Sequence, residues 1–444
     1  MKTLLALALS LALLPAAAQA IEGSSRIQRV VSPGGIEAWL VEEPAIPMIA
    51  MEISFSGGAR VDEPGKEGAA YLAAGLIEEG AGDMDSQAFQ RRLEDLSARI
   101  GFDAGRDEFE VSLRALSENF EESLALLRTA LMEPAFDPKQ VERVRQQVIS
   151  GLKSDANDPQ SQAARAWFSL MFPESRYGVA TKGTLETVEG LTRDDLVAAY
   201  GRMLARSRMK IGVVGDIDAE TLAPLLDATF GDIPAGEKME TTTIEPAEES
   251  GTHLIRAEVP QSVAIFGHRG ILRSDPDFIP AYVMNYILGG GGFESRLTEE
   301  VRNKNGLAYS VYSYLSPYER AGLYLGGVAT ANERVGRSLE LIEGEWRRMA
   351  EGGVTDDELE RAKKYLTGAF ALRFDSNAKI ARYLAGVQVA GLGIDYIDER
   401  NGLVEAVTKD DIARVAQRLL HPEELMVVVV GDPEGLDADE IGQN

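Results

Sequence analysis

Cysteine is absent from the 444 residues, and histidine occurs only three times, at His253, His268 and His421. The first absence excludes disulfides, thiolate nucleophiles, iron–sulfur clusters and cysteine-bound zinc. The second leaves a histidine metal centre only if residues far apart in the chain converge. Positive charge is scarce too: 45 Lys and Arg stand against 71 Asp and Glu, a formal net charge of −26. A chain this acidic lacks the basic stripe of a nucleic-acid groove and is repelled by an anionic membrane surface. No G-x-S-x-G elbow, no Walker motif and no G-x-G-x-x-G between a strand and a helix occurs. What the chain has is bulk. At 45% hydrophobic residues it can bury a large core, and its length suits two or three domains at ~150 residues each.

The first twenty residues read as an address. Lys2 supplies one positive charge, Leu4 to Ala17 carry none, and Ala-Gln-Ala closes the stretch at 18–20. This is the pattern of a secretory signal cleaved after Ala20, and the apolar run is short for the ~20 residues that span a bilayer. No later run reaches that length. A cysteine-free exported chain suits an oxidising compartment, so the expectation is a periplasmic protein.

The remainder repeats itself. LTRDDLVAAYGRML at 191–204 precedes MKIGVVGD at 209–216, and VTKDDIARVAQRLL at 407–420 precedes LMVVVVGD at 425–432. Thr192 matches Thr408 and Asp216 matches Asp432, both at an offset of 216. FDPKQVERVRQQV at 136–148 and VTDDELERAKKYL at 354–366 agree at an offset of 218. A nearly constant offset points to duplication. The expected layout is a signal at 1–20, a first domain at 21–235, a linker at 236–251, a second domain at 252–436 and a tail at 437–444. Strand-like runs at 36–42, 48–55, 109–116 and 209–215 alternate with helix-like runs at 66–79, 86–99, 118–132, 137–153 and 160–171. The pattern predicts α+β domains, each a mostly antiparallel sheet covered by helices.

Few residues offer chemistry. The glycines 289–292 read as a loop requiring positive φ, or an anion cradle. The histidines read as surface or helix-end residues, and Glu78-Glu79 and Glu299-Glu300 as solvated faces. DPEGLDADE near the C-terminus lacks the EF-hand pattern. One segment differs. In GGGGFESRLTEEVRNKNGLAYSVYSYL at 289–315, a helix over 293–303 carries Arg296 and Arg302, Asn305-Gly306 stops it, and a strand over 307–315 carries Tyr309. Such a turn can set a guanidinium and a phenol on one side, two donors suited to a peptide carbonyl. The plain alternative is a strand-forming Tyr and a helix-terminal Arg.

ESRLTEEVRNKNGLAYSVYS at 294–313 resembles the second-domain signature of the pitrilysin/insulinase (inverzincin) zinc peptidases, and PGKEGAAYLAAGLIEEGAG at 64–82 resembles the frame of their first-domain motif. The resemblance covers nearly all of 30–435. Active members carry H-x-x-E-H on the first-domain helix and a further Glu later in that domain. Carried onto this chain, the motif positions hold Tyr71, Ala74 and Gly75, and the last ligand position, on the helix before Asn157-Asp158-Pro159, holds Gly151. None suits zinc, so the resemblance implies no metal here and a degenerate motif. Arg302 and Tyr309 match the pair that holds the substrate carbonyl. Some family members split the two halves of the site between chains. The resemblance therefore implies the zinc-less subunit of a heterodimeric peptidase acting on peptides, with zinc on an H-x-x-E-H partner. The alternative is a structural or peptide-binding scaffold of the same fold.

Overall fold

The computed structural model of the chain describes residues 26–442 apart from 238, 240 and 241; the expected signal at 1–20 therefore lies outside the described residues. Two six-stranded sheets dominate. The first runs, edge to edge, Ile27–Val31, Glu37–Glu42, Met209–Gly215, Met48–Ser56, Glu108–Leu116 and Arg99–Ala104. The second runs Asp439–Glu440, Gly251–Arg256, Met426–Gly431, Gln261–Arg269, Gly322–Ala331 and Ala308–Pro317. Beyond the first strand listed, the two orders are one pattern. In each, the second and third strands listed pair in parallel and the three strands beyond them pair antiparallel. The α+β expectation and its duplication thus appear as matching sheets.

Alternation predicted the one-sided burial of Glu108–Leu116, where Phe109, Val111, Leu113 and Ala115 face the core. Met48–Ser56 behaves differently, with seven consecutive buried residues, because both of its faces are covered. One face packs on its own half. The other lies under helix Asn377–Val389, which belongs to the second half. The exchange is reciprocal. Helix Pro159–Met171 of the first half lies on the second sheet, where Trp167 Nε1 donates to the Met426 carbonyl at 3.1 Å. Gln388 Nε2 donates to the Ile211 carbonyl at 2.8 Å in the opposite direction. Gly212 lets the helix approach this closely, since a Cβ there would sit 2.2 Å from the Ala381 carbonyl oxygen. The halves therefore share two apolar clusters and cannot part without exposing both.

Several local expectations are corrected. The helix expected at 86–99 spans Ser86–Asp95, with the Asp85 side chain accepting from Ala88 N at 2.8 Å. Ser97 then takes a left-handed φ of 50°, and Arg99–Ala104 is a strand, so Ile100 is buried as a strand residue. The run at 66–79 divides into a helix Ala69–Ala74 and a 3-10 turn Ile77–Glu79 at Gly75, which the helix frame alone does not reveal. Within the expected tail, Asp439–Glu440 joins the second sheet. Within the expected linker, Ile244 N and Ala247 N donate to the Arg320 and Met171 carbonyls. His253 and His268 are buried strand residues instead of surface ones; His268 Nε2 accepts from Trp346 Nε1 at 3.1 Å. Burial of the Glu78 side chain pushes its carboxyl upward, so it is not a fully solvated face.

The seam also holds a titrating group. Glu52 is 5% exposed, and its one cationic neighbour from the opposite half, Arg382, has Nη2 3.6 Å away. Burial raises its carboxyl from about 4.5 to about 7, against the pull of Arg382 and Arg114. The folded state thus keeps a proton that the unfolded chain releases between those two values. Stability from this site is present below about 4.5 and lost as pH rises through about 7. Glu52→Gln is expected to add about 3 kcal/mol at pH 8 and almost nothing at pH 4.5, read from urea unfolding at both. An equal effect at the two pH values would contradict the assignment.

Candidate functional site

The four degenerate motif positions, distant in sequence, meet in space. Tyr71 and Ala74 lie on helix Ala69–Ala74, Gly75 caps it, and Gly151 lies on helix Pro138–Asp155. All four line one cavity of about 280 Å³ that also touches the edge strand Arg99–Ala104. The space for ligands persists. A Cβ on Gly151 would meet no atom within 4 Å, and one on Gly75 would meet only ordinary contacts, the nearest being Val144 at 3.6 Å. The donors do not persist. A phenol, a methyl and two hydrogens provide no metal-binding set, and no group of three or more His, Cys, Asp or Glu converges to hold a metal among the described residues. Sequence reasoning missed Lys182, which lines the same cavity and pairs with Asp155 at 2.9 Å. Asp155 raises its pKa and Tyr71 acts in the same sense. An ammonium facing the vacated positions opposes a dication there. Zinc does not fit this set.

Arg302 and Tyr309 are brought together as expected, by means the sequence did not show. The helix expected at 293–303 is a 3-10 turn Gly292–Glu294 followed by a π-helical stretch Thr298–Lys304, which presents Arg302. In the strand Ala308–Pro317, Ala308 pairs with Thr330 and Ser310 with Ala329, so Tyr309 is the extra residue of a β-bulge. A bulge frees its residue from the ladder and re-aims its side chain, and Tyr309 is 80% exposed. The Arg302 Cζ lies 4.8 Å from the Tyr309 ring centroid and 4.8 Å from that of Phe293, itself 72% exposed. The guanidinium is sandwiched between two rings and pairs with no carboxylate among the described residues. Its in-plane N–H groups remain available to a carbonyl or carboxylate. Arg296 is the opposite case, held by Glu358 at 2.7 Å and by the Gly353 carbonyl at 2.9 Å. It is a strut.

Arg302, Tyr309 and a second π-helical stretch, Tyr286–Gly290, line a cavity of about 590 Å³. Gly289 fits there because a Cβ would sit 2.2 Å from Ser313 Oγ, so that glycine serves close packing; of the four glycines only Gly292 has positive φ, at 58°. Two π stretches and a bulge around one cavity are local departures from regular structure that concentrate at functional sites. Tyr312 and Tyr314, stacked at 6.1 Å, extend the aromatic wall, and Gln160 Nε2 reaches Tyr312 Oη at 3.3 Å from the exchanged helix. Both cavities lie on edge strands, Arg99–Ala104 and Ala308–Pro317, whose outer backbone groups face no neighbouring strand among the described residues.

Comparison with known proteins agrees with this architecture. The profile described as "Insulinase (Peptidase family M16)" matches residues 39–180, and "Peptidase M16 inactive domain" matches 190–366. The non-peptidase homolog YmxG of Helicobacter pylori is 24% identical over 354 residues, covering 80% of this chain and 82% of that protein. The beta subunit of the mitochondrial-processing peptidase of Blastocladiella emersonii is 22% identical, covering 91% and 88%. The crystal structure of a peptidase M16 inactive domain from Pseudomonas fluorescens superposes with a TM-score of 0.85 at 26% identity, over 94% of this chain and all of that one.

Proposed function

Because this chain belongs to the M16 insulinase family of peptidases, as a member without the family's zinc ligands, we propose that it is the zinc-less subunit of a periplasmic heterodimeric peptidase. Its partner carries H-x-x-E-H and the zinc. This chain contributes Arg302 and Tyr309, which bind the peptide and donate hydrogen bonds to its carbonyl oxygen. The observation that carries the reading is the contrast between the two cavities. The expected zinc positions carry no metal donor and share their cavity with an ammonium, whereas a half-buried Arg302 on a π stretch stacks on an exposed Tyr309 at a bulge. An exposed aromatic pair around an uncompensated guanidinium contributes little to folding, which supports a role in binding. The peptide adds as a further strand along the edge Ala308–Pro317, using backbone groups the sheet leaves open.

The test is reconstitution. The purified chain is expected to hold no stoichiometric zinc by elemental analysis and to cleave no peptide. Mixing it with the H-x-x-E-H partner is expected to restore cleavage. Zinc at one equivalent, or zinc-dependent cleavage by the isolated chain, overturns the reading.

A further inference from the structure

A third cavity, of about 460 Å³, lies among the helices Phe278–Asn285, Asn377–Val389 and Tyr396–Ala406. Five of its wall residues are basic, namely Arg273, Arg373, Lys379, Arg382 and Arg400, and none is acidic. In a chain with 71 acidic and 45 basic residues this is segregation of charge, not a sample of the composition. Lys379 is tied to Asp375 at 2.6 Å and Arg382 to Glu52 at 3.6 Å. The other three have no carboxylate within 4.0 Å among the described residues.

Those three arginines are held by neutral groups. Arg400 is 4% exposed, donates to the Leu366 carbonyl at 2.7 Å and lies 4.6 Å from the Phe370 ring centroid. Arg273 donates to Tyr396 Oη at 2.6 Å and lies 4.2 Å from the Phe278 ring centroid. Arg373 reaches Tyr282 Oη at 3.5 Å. Aromatic faces offset part of the cost of gathering cations, but only an anion supplies the missing countercharge. All three share the cavity wall with Tyr383. Burial pushes the Tyr383 phenol up to about 12, Tyr396 acts in the same sense, and Arg400, Arg373 and Arg273 all act against it.

The cavity adjoins the Arg302 and Tyr309 cavity, since Tyr282 and Arg373 line both. We infer that it takes the free carboxylate end of a peptide whose last side chain is apolar or aromatic. Arg273 and Arg373 hold the carboxylate, and Phe370, Val387 and Leu392 receive the side chain. A planar guanidinium matches a carboxylate in two parallel hydrogen bonds, and the volume suits one or two residues, not a folded partner. The inference deepens the peptide-binding role proposed above and rests on a peptide lying across Arg302 and Tyr309.

The experiment is calorimetric titration of the full chain with acetyl-Ala-Ala-Ala-Phe as free acid and as amide. The acid is expected to bind about tenfold more tightly. Arg273→Gln and Arg373→Gln, checked for folding by circular dichroism, are each expected to bring the two affinities within about twofold. Arg302→Ala is expected to weaken both ligands equally and leave their ratio intact. Equal affinities in the native chain, an unchanged ratio in both Gln variants, or no binding of either peptide overturns the pocket assignment. Laurate binding with the same arginine dependence, while peptides fail, overturns the peptide assignment in favour of a fatty acid. If the acid preference stands but Arg302→Ala changes nothing, the pocket is upheld and the reading of Arg302 falls.

Discussion

Arg302→Ala and Tyr309→Phe in the proposed two-chain peptidase are each expected to lower kcat by ~10²–10³-fold, the usual cost of removing one donor aimed at a developing oxyanion. The expectation follows from the placement of the pair. Tyr309 is the extra residue of the bulge and is 80% exposed, so its hydroxyl is not spent on the fold. The guanidinium is fixed by stacking between Phe293 and Tyr309, which leaves its N–H edge open. The Arg302→Lys variant sharpens the test. An ammonium keeps the charge but lacks the planar fork and the stacking, so it is expected to recover less than a tenth of the lost turnover. The unfolding midpoint of Tyr309→Phe is expected to match the native chain, because exposed substitutions usually cost within ~0.5 kcal/mol, and circular dichroism checks that the variants at the half-buried Arg302 remain folded. Turnover unchanged by both Arg302→Ala and Tyr309→Phe would favour the scaffold alternative, in which the fold is retained for assembly alone.

The second large effect is on stability. Trp167→Ala is expected to destabilise the chain by ~3–5 kcal/mol, the range for a large aromatic removed from a core. Trp167 is fully buried at the exchanged helix Pro159–Met171 and donates to the Met426 carbonyl of the other half. Its loss leaves a cavity and an unpaired carbonyl at the contact that joins the halves. Leu372→Ala is the control, since Leu372 is 75% exposed, and about zero change is expected. Urea unfolding followed by circular dichroism reads both. A loss below ~1 kcal/mol for Trp167→Ala would mean that the exchange does not hold the halves together.

Much of this was legible in the sequence because it depends on local pattern. A near-constant offset between the halves foretold two similar domains, and five strands of each sheet follow one order, since equal patterns bury equal faces. The strands Met48–Ser56 and Glu108–Leu116 followed from short apolar and alternating runs bounded by turn residues. The strand Arg99–Ala104 did not, because its Ile100 also satisfies the spacing of the preceding helix, and only a left-handed Ser97 separates the two. The Asp439–Glu440 pairing was unreadable for a similar reason, as two residues have no period.

The chemistry divides the same way. Which side chains stand at the motif positions is a matter of sequence alone, and so is the loss of zinc donors at Tyr71, Ala74, Gly75 and Gly151. That these four still meet in one cavity, with Lys182 turned into it, belongs to the tertiary structure. So do the bulge at Tyr309, the π turn beneath Arg302 and the second ring, Phe293, that completes the stack. Side-chain identity is written residue by residue, and periodicity reports only which face of an element is apolar. Where a helix loosens by one residue, where a strand gains one, and which half covers which sheet depend on packing between segments hundreds of residues apart.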